Sequence, residues 1–450
     1  MDRTIEEIDG MGALERVAGA IRFQTVSHKD RSRTDFTQFD GLHKFLEQAY
    51  PQIHSNLEKK TDEEKNLAYF WEGTDKALEP VALLAHQDVV PVNEKRWGVP
   101  PFSGEIRDGY VYGRGALDNK GQLIAVMESI ENLLAEGFVP ERSIYLLFGA
   151  DEETMGEYGA AKLSMALKEK GARLHFVLDE GLGNRDGSDF GINGDIATIG
   201  ICEKGIMNLK LTAKGKSGHA SMPPGETAVK TLACAIARLD KHQMKSRLNY
   251  PTEQMIKALA PHMKAKYRFV FANKWLFGWL IKRRMLKTPD TAALLRTTFA
   301  PTQLFASNAP NVLAETASAV FNIRIAPGET EKDVYAHVGR YAGELEKETQ
   351  FYSPPSQVSS ADGKAYQEIS AAAKKIFPEM VVAPYLMVGA TDSRYYYSVS
   401  GNVYRFSPFS AGKEDLRRIH GDDERLGGES LKRGIEFYMH LIKATCGTAT

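Results

Sequence analysis

The sequence predicts an α/β fold in which a mixed sheet flanked by helices is interrupted by a smaller α+β layer. Apolar runs at 80–85 (PVALLA), 143–149 (SIYLLFG) and 174–178 (LHFVL) have the length and composition of buried strands. Between them, 119–136 and 157–170 carry apolar residues at helical spacing, as at Leu123, Val126, Ile130 and Leu133, and this alternation argues a sheet covered by helices. A second rhythm starts near residue 203. It holds a strand at 207–215 (MNLKLTAKG), the turn-rich GHASMPPG, a helix over about 225–240 and a strand of alternating faces at 315–328 (ETASAVFNIRIAPG). A helix over 330–346 and a strand near 349–358 complete it, and the first pattern resumes near 361 with a helix over 364–376.

A chain of 450 residues is long for one core. The patterns divide it into a discontinuous larger domain, 1–202 and 361–450, and an inserted smaller domain, 203–360. Within the latter, 245–307 reads as a helical insert rich in Lys, Arg and aromatics. Its most apolar stretch, YRFVFANKWLFGWLI at 267–281, is too short to span a bilayer and runs into Lys282, Arg283 and Arg284. Such a stretch packs as a lid helix, lines a substrate channel or touches a membrane.

A formal net charge of −1 provides no basic field, which argues against nucleic acid as a partner. Cys202, Cys234 and Cys446 are far apart and form no CxxC, so they read as reduced residues of a cytoplasmic protein. The segment MDRTIEEIDG lacks the apolar core of a signal peptide.

Five short segments place metal-binding side chains along the chain: HQDVVP at 86–91, GRGALDNKG at 113–121, DEE at 151–153, LDEG at 178–181 and IHGDDE at 419–424. Together they supply imidazoles and carboxylates, a donor set that suits zinc or another first-row divalent ion. His86 closes a buried strand, and Asp88, two residues on, shares its face and could accept the second imidazole N–H. Alone, that pair reads equally well as a strand-end histidine with a surface acid. Asp118 stands just before a helix, as an ordinary N-cap would, but a carboxylate can also bridge two cations. The clustered acids at 151–153 repel one another unless a cation offsets them, and one can ligate while its neighbour remains a general base. Of the other histidines, His43, His242, His337 and His440 fall in helical patterns and read as ordinary residues. There is no HExxH, no G-x-S-x-G elbow and no thiol arrangement for nucleophilic catalysis.

With HQDVVPV, VLDEG, GHASMPPGETAV, GATDSRYY and YRFSPF, these segments resemble the dizinc amidohydrolase and metallopeptidase family. That family includes aminoacylase, Gly-X carboxypeptidase, acetylornithine deacetylase and succinyl-diaminopimelate desuccinylase. The branch of Gly-X carboxypeptidase and N-fatty-acyl-amino-acid hydrolase is the most similar. The resemblance implies a zinc-peptidase-like catalytic domain with two Zn2+ per subunit, replaceable by Co2+ or Mn2+. It implies that His86 and Glu180 hold one ion, Glu153 and His420 the other, and that Asp118 bridges them across a cis Asp118–Asn119 bond. Asp179 competes with Glu180 for the ligand position. Glu152 would be the general base, and Asp88 would orient His86. His219, supplied by the partner in a homodimer, would stabilise the oxyanion, and Arg324, Asn311, Gly389, Thr391 and Arg394 would contact a substrate with a free carboxylate. Asn119 and Asp423 depart from the commonest pattern, which has Asp and Asn there. The implied reaction is hydrolysis of N-acyl amino acids or short peptides, with a dipeptidase or a non-catalytic binding relative as alternatives.

Overall fold

Val81–His86 and Phe176–Asp179 are buried at every position and Ile144–Gly149 at all but one, the profile of parallel strands covered on both faces. In the computed structural model, which describes residues 8–410 and 412–448, they lie together in the middle of a nine-stranded mixed sheet. Its spatial order is Glu58–Thr61, Leu67–Trp71, Ile144–Gly149, Val81–His86, Phe176–Asp179, Val403–Arg405, Asp195–Glu203 and Val381–Met387, with Asn184–Asp186 paired to Asp195–Glu203. Val81–His86 runs parallel to both of its neighbours, with His86 opposite Gly149 and Leu83 opposite Leu178. The chain therefore leaves positions 86, 149 and 179 at one edge, where open α/β sheets bind ligands.

Alternating side chains send Leu83, Leu146 and Leu178 into a core closed by the helices Gly10–Ile21, Lys120–Ala135, Lys364–Ile376 and Gly428–Cys446. Ala82, Leu84, Leu147 and Val177 face the other way, against Ala160–Glu169 and Tyr396. A smaller antiparallel sheet has the order Thr298–Phe305, Thr316–Ile325, Gly205–Lys214 and Glu346–Ser353. Leu209, Leu211, Phe321 and Ile323 pack beneath the helices Ala228–Lys241 and Glu331–Ala342 through Leu232, Leu239, Val334 and Val338.

One residue, Lys204, separates the last position of Asp195–Glu203 from the first of Gly205–Lys214. Its buried ammonium donates to the carbonyls of Ala293 and Arg296 at 3.1 and 2.9 Å, and burial holds its pKa down at about 7. Beside it, Arg405 Nε meets Glu203 Oε1 at 2.8 Å, and both side chains are buried. Removing one member of such a pair costs about 3–5 kcal/mol, because the other charge is left uncompensated. The junction of the two sheets is thus held by charges locked to specific partners.

Two features differ from the sequence expectation. Residues 298–305 are not helical but an edge strand of the small sheet, in register with Thr316–Ile325. That strand is mostly exposed and carries Pro301 beside a register shift, so it lacks the apolar alternation that announces a strand. The helical part of the insert packs on the larger sheet. Met255, Leu259, Ile281 and Leu294 form a core with Ile196, Cys202, Tyr385 and Leu386. None of the helices among the described residues is long and apolar enough to cross a membrane.

Candidate metal centre

The strand ends deliver two groups of donors that share one carboxylate. His86, the last residue of its strand, puts Nε2 at 2.9 Å from Asp118 Oδ1 and 3.6 Å from Glu180 Oε1. His420 Nε2 lies 3.0 Å from Asp118 Oδ2 and 3.1 Å from Glu153 Oε2. In each trio the ligand atoms lie within 4.8 Å of one another. Four ligands held tetrahedrally at about 2.1 Å from a zinc ion stand about 3.4 Å apart, so this spacing fits two divalent cations on either side of Asp118.

Backbone contacts position the donors, and several come from distant segments of the chain. The Asp118–Asn119 peptide bond is cis. The Asp118 loop is tied down by Glu424, whose fully buried carboxylate accepts from Gly115 N at 3.1 Å, Leu117 N at 2.8 Å, Asp118 N at 3.0 Å and Arg114 Nη1 at 2.7 Å. Glu424 thereby joins this loop to the one carrying His420, a residue in the left-handed region at φ 58°. Asp88 is buried, and its carboxylate accepts the backbone N–H of Glu152 and of Glu153, each at 3.1 Å, and the Ser27 hydroxyl. His86 Nδ1 is closest to the Asp88 carbonyl, at 3.0 Å, with the carboxylate at 3.4 Å. Asp88 therefore fixes the imidazole mainly through its main chain, while its side chain positions the 152–153 turn.

The two acids of LDEG have different partners. Asp179 accepts from Glu180 N and Ser393 N, both at 2.8 Å, and is committed to the fold. Glu180 faces His86 and receives the Asn119 side-chain amide. In DEE, Asp151 accepts from Tyr158 N at 2.9 Å, and burial raises its pKa to about 6. Glu152 and Glu153 are left to turn toward the cluster.

The electrostatics are those of a site crowded with negative charge. Burial, reinforced by neighbouring carboxylates, pushes Glu152 and Glu180 well above the usual carboxylate range and raises Glu153. Burial opposes a charge on His86, but Glu180, Asp118 and Asp88 outweigh it and raise its pKa well above the ordinary value. Hydrogen bonds to Asp118 and Glu153 lift His420 to about 10. Burial would raise Asp118 too, yet the two histidines hold it below the usual range. Protons here do the work of cations, and a bound divalent ion would displace them from both imidazoles.

The expected substrate residues are spread over both sheets. Arg324, on Thr316–Ile325, is half-buried and donates to Asn322 Oδ1 at 3.1 Å. Its pKa is lowered by burial and, to a lesser extent, by the charge of Arg394. Arg394 donates to Met155 O at 3.4 Å, while its buried Nε and Nη1 have no hydrogen-bond partner among the described residues. Gly389 lies half-buried just ahead of that segment. Thr391 differs from the expectation of a substrate contact. It is buried, and its N–H and hydroxyl both donate to Glu203, at 3.1 and 2.8 Å, so it secures the loop. His219 and Asn311 are exposed on the small layer, where Ala220 N donates to Asn311 O at 3.0 Å. His219 Nδ1 accepts from Ser221 N at 3.1 Å, which leaves Nε2 as the proton-bearing nitrogen.

Sequence reasoning missed Glu424, Asn119 as the partner of Glu180, and Glu203 as the anchor of the 391–393 turn. Glu424 stood in plain view as the last letter of IHGDDE, but nothing in the string says that it reaches back to residues 114–118.

The profile of peptidase family M20/M25/M40 matches residues 82–444. The chain is 38% identical over 440 residues to the probable carboxypeptidase S-like 2 of Dictyostelium discoideum, covering 96% of this chain and 84% of that protein. It is 37% identical over 436 residues to an N-fatty-acyl-amino acid synthase/hydrolase of Xenopus tropicalis, covering 96% and 85%. Among solved structures it is similar in fold to an M20 family metallo-carboxypeptidase of Sulfolobus solfataricus. The TM-score is 0.73 at 18% identity, over 96% of this chain and 98% of that one.

Glu424→Gln tests the loop architecture. It should leave the fold intact by circular dichroism but weaken divalent-cation binding about 10–100-fold in a calorimetric titration, as happens when a group that orients metal ligands is lost.

Proposed function

The chain belongs to peptidase family M20/M25/M40 and is a peptide-bond hydrolase, and on that premise we propose that it cleaves the amide of N-acyl amino acids or short peptides bearing a free α-carboxylate. The observation that carries this reading is the pair of donor trios meeting at Asp118 with Glu152 alongside. His86 and Glu180 would hold one zinc ion, Glu153 and His420 the second, and Asp118 both, with Co2+ or Mn2+ as substitutes. Bound there, the ions supply Lewis acidity and a water whose pKa falls towards neutrality.

Glu152 takes the proton of the attacking water on its carboxylate as the C–O bond forms. It returns that proton to the amide nitrogen as the C–N bond breaks, releasing a carboxylic acid and an amine. Asp88 keeps the base in position through the Glu152 amide. Arg324 and Arg394 grip the substrate carboxylate, a role supported by the effect of the Arg394 charge on Arg324 and by the unpaired donors on Arg394. Gly389, with no side chain, leaves room beside them. The developing oxyanion takes a hydrogen bond from Nε2 of the partner subunit's His219 in a two-fold homodimer that joins the small layers, with Asn311 beside it. Exposure of His219 and a proton on Nε2 support that role. Likeness to an N-fatty-acyl-amino acid synthase/hydrolase supports an apolar acyl group. A cytoplasmic location belongs to the same reading, supported by three unpaired cysteines, one of them exposed.

Glu152→Gln should retain both metals by elemental analysis and lose about 10²–10⁴-fold in kcat, since it removes proton transfer but no ligand. Near-normal turnover would reassign the base.

Comparing kcat/KM for acetyl, octanoyl and oleoyl forms of one amino acid, alongside its methyl ester and a dipeptide, tests the substrate. The acids should be cleaved, longer chains preferred, and the ester left nearly untouched. Full activity on the ester would remove the carboxylate clamp, and a preference for the dipeptide would favour a dipeptidase.

Mixing inactive His219→Ala protein with inactive Glu152→Gln protein should restore part of the activity, because one site of the mixed dimer is complete. Absence of rescue with subunit exchange verified would dismiss the shared site.

A further inference from the structure

We propose that the helices Ala265–Ala272 and Lys274–Met285 dock this protein onto an anionic lipid surface. The side chains of the second helix divide between burial and solvent in an unusual way. Ile281 and Met285 are buried in the core that the insert forms with the large sheet, and together with Phe271 they line an apolar pocket there. The residues that face outward at 275–280 are apolar. Trp275 is 83% exposed and Trp279 61%, with Leu276 and Leu280 beside them. Phe269, on the first helix, is 63% exposed, and its ring stands 5.9 Å from that of Phe277, which extends the patch across both helices. Two tryptophans, a phenylalanine and two leucines present several hundred Å² of contiguous apolar surface, more than a soluble monomer ordinarily leaves uncovered.

What covers it is indicated by charge. Between Glu253 and Asp290 the sequence has nine Lys and Arg and no Asp or Glu, in a protein whose net charge is −1. On the second helix the two properties are arranged in order. Exposed apolar residues occupy 275–280, and the exposed Arg283, Arg284 and Lys287 follow within two turns. A helix entering a bilayer surface obliquely needs that order, with tryptophan and leucine below the headgroups and cations level with them. The stretch does not span, so the contact is interfacial. A second copy of the chain fits less well, since its own basic turn would join an interface in which neither helix offers an acid. Bringing the protein to a lipid surface would place it where molecules with long apolar chains concentrate. The docking itself does not depend on which amide is cleaved.

The test is co-sedimentation of the full chain with vesicles of phosphatidylglycerol and phosphatidylcholine, against phosphatidylcholine alone, at about 0.1 M salt, where screening acts within roughly 10 Å. The protein should pellet with the anionic vesicles, and brominated lipid should quench its tryptophan fluorescence. Trp275→Ala/Trp279→Ala should weaken binding about tenfold or more and abolish most of the quenching. Arg283→Glu/Arg284→Glu should reduce binding to the anionic vesicles at least tenfold, at about fivefold for each basic charge lost. Because these side chains are exposed, the melting temperatures should not move, which separates lost docking from lost folding. The proposal is overturned if the unaltered protein ignores anionic vesicles, or if both variants bind as it does. It is equally overturned if the tryptophan variant merely breaks a dimer that shows no affinity for lipid.

Discussion

Carboxylates crowd the edge of a mixed sheet around Asp118, and their mutual repulsion is the constraint that the surrounding structure answers. Buried acids at this spacing cannot all ionise without a compensating charge, and the two imidazoles facing them supply it only while protonated. A pair of divalent cations answers the same need more completely. That is why this arrangement reads as a metal centre and not as an ordinary buried ion-pair network. Further acids hold the scaffold: Asp88, Asp179 and Glu424 all accept backbone N–H groups, and each pins a loop that carries a candidate ligand or the candidate base.

The same logic governs the joint between the sheets. Glu203 ends a strand of the large sheet, receives Arg405 and holds the 391–393 turn, and Lys204 follows it with an ammonium buried against carbonyls of the insert. The small sheet begins one residue later. The charge of Arg394, on the segment beyond the large sheet, helps to hold down the pKa of Arg324 on the small one. Arg394 also keeps two buried N–H-bearing nitrogens without a hydrogen-bond partner among the described residues.

The insert shows how one stretch of sequence can serve two surfaces. Its inward residues extend the core over the edge formed by Asp195–Glu203 and Val381–Met387. Its outward aromatics complete no core, and Trp275 and Trp279 face solvent. The difference arises because apolar residues recur on nearly all sides of the second helix, so hydrophobicity alone does not choose a buried face.

Much of the centre was legible in the chain itself. His86, the acids at 151–153 and Glu180 follow apolar runs directly, and the end of a buried parallel strand is a fixed place in space once the strand is recognised. Local strings such as GRGALDNKG and IHGDDE carry their own turn chemistry, so their positions along the chain survive folding. Tertiary structure alone decided which acid of each pair turns inward, because Asp179 and Glu180 differ only in which backbone donors happen to lie within reach. It also decided that Glu424 braces Asp118 from some three hundred residues away and that 298–305 completes a sheet edge. These are pairings between distant segments, and periodicity reports the face a residue belongs to but not the partner that face will meet.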